Sequence, residues 1–298
     1  MVSNELIGIQ GYAGANHEIA ARQLYGNDIN LAYIKTFEEL FADLRANKIG
    51  RAVVAFSNTT IEEAFIRAPH RELLTHGADY WLTDKTEVQV RHQLLGLPGT
   101  KRSDIQTVHS MGVALEQCEQ TLHQLVPNAQ LVFEDDTALS AELVRQSGDR
   151  TRAAVATALA GELNELEVIA ADIQDDELNM TNFYGWSLRE QGLARMTGEE
   201  DKTLMLMKVP DDDAAGSLRK ALGAFEDQAV NIADLHSISV PGSGKRRKQF
   251  LIEADSGFNS LQMQNALRTL GSIGCNADLL GSWVDTAATT LVLDQSTV

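Results

Sequence analysis

Val168-Ile169-Ala170-Ala171-Asp172-Ile173-Gln174-Asp175-Asp176-Glu177-Leu178-Asn179-Met180-Thr181-Asn182-Phe183 joins an apolar run to a polar stretch that closes on a hydroxyl, an amide and an aromatic ring. The apolar run has the make-up of a buried strand, and the polar stretch reads as a hinge at its end. Small-molecule sites in open α/β sheets lie just beyond strand ends, so a hydroxyl held rigidly there would stand at a pocket mouth. Thr181 is therefore the candidate catalytic group. The plainer reading is a turn in which Asn179 and Thr181 bond only to neighbouring backbone, and composition alone favours it.

Upstream of this stretch, short apolar runs alternate with amphipathic ones. Strands are expected over 6–10, 30–34, 52–56, 79–82, 105–108, 130–133, 153–155 and 168–169. Helices are expected after the glycine turn near 19–21 and over 113–125, 138–146 and 159–163. That is the pattern of repeated β-α units around a mostly parallel sheet, an α/β fold. Between Trp186 and Lys202 the chain turns polar, with Glu190, Glu199, Glu200 and Asp201, which sets a domain boundary and divides the chain into 1–190 and 191–298. Beyond it the order is strand 204–209, helix 215–228, strands 231–240 and 249–254, helix 260–270 and strand 276–283. This βαββαβ order is the ferredoxin-like split unit, with Asn259 and Ser260 as natural caps of its second helix.

Composition narrows the function classes. The 298 residues carry 25 Lys and Arg against 42 Asp and Glu, a formal charge of −17, so no broad basic surface exists for nucleic acid or an anionic membrane. The same charge repels an anionic substrate at long range. Arg91, His92, Lys101, Arg102 and helix N-termini are the local groups available to draw one in. Two cysteines, Cys118 and Cys275, make no disulfide framework and suit a reducing compartment. With no 18-residue apolar run and no signal-peptide pattern in Met1-Val2-Ser3-Asn4-Glu5, a cytoplasmic protein is expected. The seven histidines lack ligand spacing, so neither a metal nor another cofactor is expected.

Four further segments carry a resemblance. Gly11-Tyr12-Ala13-Gly14-Ala15-Asn16-His17-Glu18 follows the first strand, Ser57-Asn58-Thr59 closes the third, and Glu87-Val88-Gln89-Val90-Arg91-His92-Gln93-Leu94-Leu95 and Ser110-Met111-Gly112-Val113-Ala114-Leu115-Glu116-Gln117-Cys118 come next. Together with Ile173-Gln174-Asp175 and Thr181-Asn182-Phe183, and in this order, they resemble the prephenate dehydratase family. Two departures stand out: Ser57 replaces the family's Glu, and Asn182 replaces the Arg of its Thr-Arg-Phe.

The resemblance implies a two-lobed fold like that of periplasmic solute-binding proteins. It also implies a decarboxylating dehydration of prephenate or arogenate in aromatic amino-acid biosynthesis, with Thr181 as proton donor. Gly14, Ala15, Ser57, Asn58, Thr59, Ser110, Gln117, Asn182 and Phe183 would line the substrate. The second half resembles an ACT domain, which implies an amino-acid effector held near Gly216, Ser217, Leu218, Asn231, His236 and Ser237. It also implies a homodimer or homotetramer through edge-to-edge pairing. Two other readings remain: a diverged, non-catalytic binding homologue, which Asn182 and Ser57 favour, and a prephenate decarboxylase, against which Thr181 argues.

Single residues carry weaker signals. Gly8, Gly11 and Gly14 are spaced Gly-x-x-Gly-x-x-Gly, the wrong spacing for a dinucleotide, with Tyr12 where backbone should meet phosphate. His92 reads as a half-buried strand residue and His109 as a strand-end residue. Ser110 reads as a helix cap sharing a helix face with Gln117, and Asp136 or Thr137 as the cap of the next helix. Lys245-Arg246-Arg247-Lys248 reads as a solvated hairpin tip.

Overall fold

The structure, a computed structural model, describes residues 5–60, 67–210, 215–239 and 248–285. The chain opens with β1 (Leu6–Gln10), α1 (Asn16–Tyr25), β2 (Asn30–Ile34), α2 (Phe37–Arg45), β3 (Arg51–Asn58) and α3 (Arg67–His76). Then come β4 (Tyr80–Gln89), β5 (Gln93–Gly96), β6 (Thr107–Ser110), α4 (Gly112–Glu116), α5 (Glu119–Leu125) and β7 (Gln130–Phe133). They are followed by α6 (Thr137–Ser147), β8 (Arg152–Ala156), α7 (Ala158–Leu163), β9 (Glu167–Ala170), β10 (Met180–Leu188) and α8 (Arg189–Ala194). The chain continues through β11 (Lys202–Lys208), α9 (Ser217–Glu226), β12 (Ile232–Ser239), β13 (Lys248–Ala254), α10 (Leu261–Ser272) and β14 (Asn276–Trp283). The fold is mixed α/β.

Contacts divide the chain into one unit of residues 1–69 and 86–183 and a second of residues 70–85 and 184–298. The sequence reading set its boundary at 190; the compact units change over at Phe183/Tyr184, and the second also takes in the excursion His70–Lys85.

The first unit holds two sheets. In one, β2, β1 and β3 run parallel, with Ile7, Ile9, Val53, Ala55 and Phe183 packed under α1 in a common core. On the other face of β1, a side chain at Gly8 would meet Ile49 Cδ1 at 2.4 Å and Leu40 Cδ1 at 2.7 Å, so this glycine serves close packing and not phosphate approach. The other sheet has the order β7-β6-β8-β5-β9. Its central β8 alternates Ala153 and Val155 into one core and Ala154 and Ala156 into a second, as period-2 geometry demands of a strand covered on both faces.

In the second unit β12, β13, β11 and β14 form an antiparallel sheet in that order, and Gly281 of β14 pairs with Leu82 of β4. The expected βαββαβ order is present. Met205, Met207, Ile252 and Ala254 face α9 and α10, whose Phe225, Ala266 and Leu270 complete the core.

Several expectations need correction. The run at 168–169 is not a buried strand: β9 lies at a sheet edge and Val168 is 50% exposed. The polar stretch does not remain a hinge as far as Phe183, because Met180 opens a nine-residue strand. Thr181, Phe183, Tyr184 and Trp186 supply the β-branched and aromatic content that outweighs Asn182 and Gly185. The helix expected over 113–125 breaks at Gln117-Cys118 into α4 and α5, and Ser110 ends β6 and does not cap it. Helices α2 and α3 and strand β5 were not anticipated. The expected basic hairpin tip falls at residues 240–247, outside those described, apart from Lys248.

Two stability predictions follow from these elements. Ser260 Oγ accepts the Met263 N–H at 3.0 Å and caps α10, so Ser260→Ala is expected to cost about 1 kcal/mol in urea denaturation. Asn259→Ala, which removes no cap, should cost much less. His17 on α1 is buried against Phe37 and Phe183, its Nε2 accepts the Ala55 N–H at 3.2 Å, and burial lowers its pKa to about 3. The unfolded chain therefore binds this proton first. Stability present above the ordinary value of about 6.5 is lost as pH falls from there to about 3. His17→Gln, which keeps an acceptor for Ala55, should flatten that acid limb in denaturation midpoints measured between about pH 4 and 7.

Candidate active site

Thr181 lies in β10 beside the end of β3, is 6% exposed, and its Oγ1 accepts a hydrogen bond of 2.7 Å from Asn58 Nδ2. The same amide donates to Asn179 Oδ1 at 2.8 Å, and Asn58 Oδ1 accepts from Thr60 N and Thr60 Oγ1 at 2.8 and 2.9 Å. Thr60 Oγ1 in turn accepts from Gln117 Nε2 at 2.8 Å, and Gln117 Oε1 meets His92 Nε2 at 3.0 Å.

Donor and acceptor chemistry fixes the direction of this chain. A carboxamide oxygen only accepts, so His92 carries its proton on Nε2 and is neutral; burial lowers its pKa, although the bond to Gln117 opposes that. Each donor then points the same way, from His92 through Gln117, Thr60 and Asn58 to Thr181. The Thr181 hydroxyl receives a donor on its oxygen and keeps its own proton to give. Aligned bonds polarise one another, and here they run from buried His92 through half-buried Gln117, Thr60 and Asn58 to buried Thr181, which makes the terminal hydroxyl a better acid than an isolated alcohol.

Thr59 stitches the two strands beside this network. Its N–H donates to Met180 O at 3.0 Å, its Oγ1 donates to Leu178 O at 2.7 Å, and the same oxygen accepts from Met180 N at 2.9 Å. Ser57 and Asn182, the positions where the resemblance expects Glu and Arg, bond to each other, with Asn182 Nδ2 donating to Ser57 Oγ at 3.0 Å. The two departures are thus in contact with each other.

A cavity of 330 Å³ adjoins the network, lined by Thr60, Val113, Glu116, Gln117, Asp175, Asp176 and Asn179. That lining holds three acids and no Lys or Arg. Asp175 is already engaged, accepting from Gln120 N, Thr121 N and Thr121 Oγ1, and Asp176 accepts from Leu178 N. The cationic cluster expected from sequence is not assembled on the cavity wall. Arg91 bonds to Gln89 and Asp172 at the surface, and Lys101 and Arg102 are exposed. Among the described residues no group of three or more His, Cys, Asp or Glu is placed to hold a metal.

The other expected residues divide into those near the network and those elsewhere. Gly14 has φ +89°, and a side chain there would meet Ala160 Cα at 2.5 Å, so the loop after β1 packs directly on α7. Its N–H donates to Glu18 Oε2 at 2.8 Å and its carbonyl accepts from Thr157 Oγ1. Burial alone would raise the Glu18 carboxyl, but the Gly14 amide, Arg22 and Tyr33 hold it below the usual range. Ala15 precedes α1, buried in the core of the other sheet.

Ser110 is fully buried and gives its hydroxyl to Val155 O at 2.6 Å, which removes it from the cavity. Phe183 is 1% exposed in the core with its ring 5.0 Å from His17, so it serves packing and does not face a ligand. His92 is fully buried before β5, whereas the sequence suggested a half-buried strand position. His109 pairs with Glu134 and Thr107, apart from this network. Asp136 caps α6 through Ala138 and Leu139.

In the second unit Gly216, at φ +87°, precedes Ser217 and Leu218 at the start of α9. Asn231 donates to Asp255, His236 bonds to Asp234, and Ser237 pairs with Phe250 in the sheet. Sequence reasoning overlooked Thr60, Asn179 and Glu18. The run of four polar residues Ser57-Asn58-Thr59-Thr60 closing an apolar strand was the available signal.

Comparison with known proteins adds independent findings. The sequence profile of the prephenate dehydratase family matches residues 7–190, more than half of the chain. A bifunctional N-acyl-homoserine lactone acylase/prephenate dehydratase of Komagataeibacter europaeus is 31% identical over 281 residues, covering 94% of this chain and 96% of that protein. The prephenate dehydratase of Bacillus subtilis (strain 168) is 23% identical over 283 residues, covering 93% and 98%. Among solved structures, the prephenate dehydratase of Arthrobacter aurescens in complex with L-Phe superposes with a TM-score of 0.81 at 24% identity, covering 97% of this chain and 98% of that one. Because the family profile runs through the strand that carries Thr181, and the relatives align over nearly their whole length, this chain belongs to the prephenate dehydratase family.

Proposed function

We propose that the protein is a dehydratase that converts prephenate, or its amino analogue arogenate, to phenylpyruvate or phenylalanine, with Thr181 as the proton donor. The observation that carries this reading is the donor chain ending on Thr181 Oγ1. As the ring carboxylate leaves as carbon dioxide, its bonding pair enters the ring and the carbon–oxygen bond to the ring hydroxyl breaks. Thr181 gives that oxygen a proton and water departs. The Asn58 N–H then faces an oxygen that is becoming an alkoxide, the place where a fixed donor lowers the barrier most. Solvent returns the proton. Aromatisation drives the reaction, so the enzyme need only hold the ring and protonate one oxygen.

The acidic lining of the cavity and its lack of Lys or Arg favour the substrate that carries an ammonium group over the one that carries a keto group. Residues 1–190 are the catalytic region in this reading. Residues 191–298 form an ACT-type regulatory domain that takes an amino-acid effector near Gly216, Ser217, Leu218, Asn231, His236 and Ser237. β12 is an edge strand suited to pairing with a second copy, which is the route to a homodimer or homotetramer. Among the described residues no helix is long and apolar enough to cross a membrane.

The test is turnover of both substrates by purified protein, read as phenylpyruvate or phenylalanine. Thr181→Ala is expected to lower kcat by roughly 10²- to 10⁴-fold with the fold intact, while Thr181→Ser keeps most of it. A non-aromatic keto acid as product would instead indicate decarboxylation alone, and binding without turnover a diverged binding homologue. Full activity in Thr181→Ala would remove Thr181 from the mechanism.

A further inference from the structure

Glu253 is a buried carboxylate in the middle of the second unit, 6% exposed. Its strand neighbours Ile252 and Ala254 point into the core beneath α9 and α10, so alternation along β13 turns Glu253 to the opposite face. A carboxylate there must be paired to be tolerated. Lys85 Nζ reaches both of its oxygens, at 2.9 and 2.8 Å, and the Tyr184 hydroxyl donates to Oε2 at 3.2 Å. Asp234 lies opposite Glu253 in the sheet register and pairs with His236, so the surrounding charges are themselves compensated.

The two partners are not ordinary positions. Lys85 is the last residue of the second unit before the chain passes to Thr86 of the first, and Tyr184 is the first residue after Phe183 on the return. Two of the three places where the chain crosses between the units, Lys85/Thr86 and Phe183/Tyr184, are therefore bonded to one carboxylate, the third being Pro69/His70. Tyr184 lies on β10, the strand that carries Thr181. Its ring is fixed by Trp186 at 6.2 Å and Trp283 at 6.4 Å, with Lys85 Nζ 5.7 Å above it. Burial, with Glu253 adding to it, pushes the Tyr184 phenol well above its ordinary value, so it stays a donor.

We propose that Glu253 is a positioning residue for Thr181. By gripping Lys85 and Tyr184 it fixes the lengthwise placement of β10, whose continuous backbone carries Thr181. The proposal rests on Thr181 being the proton donor.

Two readouts test it separately from that assignment. Tyr184→Phe and Glu253→Gln are expected to lower kcat about tenfold with KM within about twofold, because placement matters more in the transition state than in binding. Hydrogen exchange of the backbone amides at 181–183 should speed up in both variants, and in Lys85→Met but not in Lys85→Arg. Wild-type exchange at 181–183 in folded Tyr184→Phe and Lys85→Met would overturn the proposal, as would unchanged kcat in both. If the unmodified protein turns over neither substrate, the dehydratase reading fails, and the exchange measurement still decides whether Glu253 holds the strand.

Discussion

The side-chain amide of Asn58 has two hydrogens and one oxygen to satisfy, and it sits where β3 ends beside β10. Both hydrogens have acceptors, Asn179 and Thr181, and the oxygen accepts twice from Thr60. A half-buried amide with every bond made has one preferred orientation, and losing a partner would cost it a hydrogen bond and that orientation. That constraint locates the Thr181 hydroxyl. It also recruits Gln117 and His92, which belong to segments far along the chain, into one directed line. The rest of the first unit serves this arrangement: Thr59 stitches the strand ends, Phe183 and His17 pack beneath, and the loop at Gly14 rests on α7.

Charge is handled differently at the site than over the molecule. The chain carries a net −17, yet the network around Thr181 is built from neutral groups. Where the family resemblance places a carboxylate and a guanidinium, Ser57 and Asn182 share a neutral hydrogen bond. A neutral pair at these half-buried positions carries no charge that needs compensation. The second unit has a charged centre, Lys85 with Glu253, beside the Lys85/Thr86 crossing between the units.

Much of the fold was legible because it depends on local pattern. Alternating apolar runs gave β1, β2, β3, β6, β7 and the βαββαβ order of the second unit, since periodicity reports which face is buried. Helix α2 went unseen although Thr36, whose side chain accepts the Glu39 N–H, precedes an apolar stripe of Leu40, Phe41 and Leu44. Phe37, Leu40, Phe41 and Leu44 keep the i, i+3, i+4, i+7 helical period, so the signal was present in the sequence. The reading of 168–169 as buried failed because hydrophobicity does not say whether a strand is central or at an edge.

The sequence by itself determined the alternation of elements, the two halves of the chain, and Thr181 as the hydroxyl to watch, because these follow from composition, spacing and ordered motifs along a line. Only the tertiary structure decided that Thr181 stands in a strand, that Ser110 and Phe183 serve the core, that His92 and Thr60 belong to the hydrogen-bonded line ending on Thr181, and that Ser57 and Asn182 are partners. Those facts depend on which side chains meet across distant segments. A hydrogen bond requires placement to within a few tenths of an ångström, which no pattern along the chain encodes.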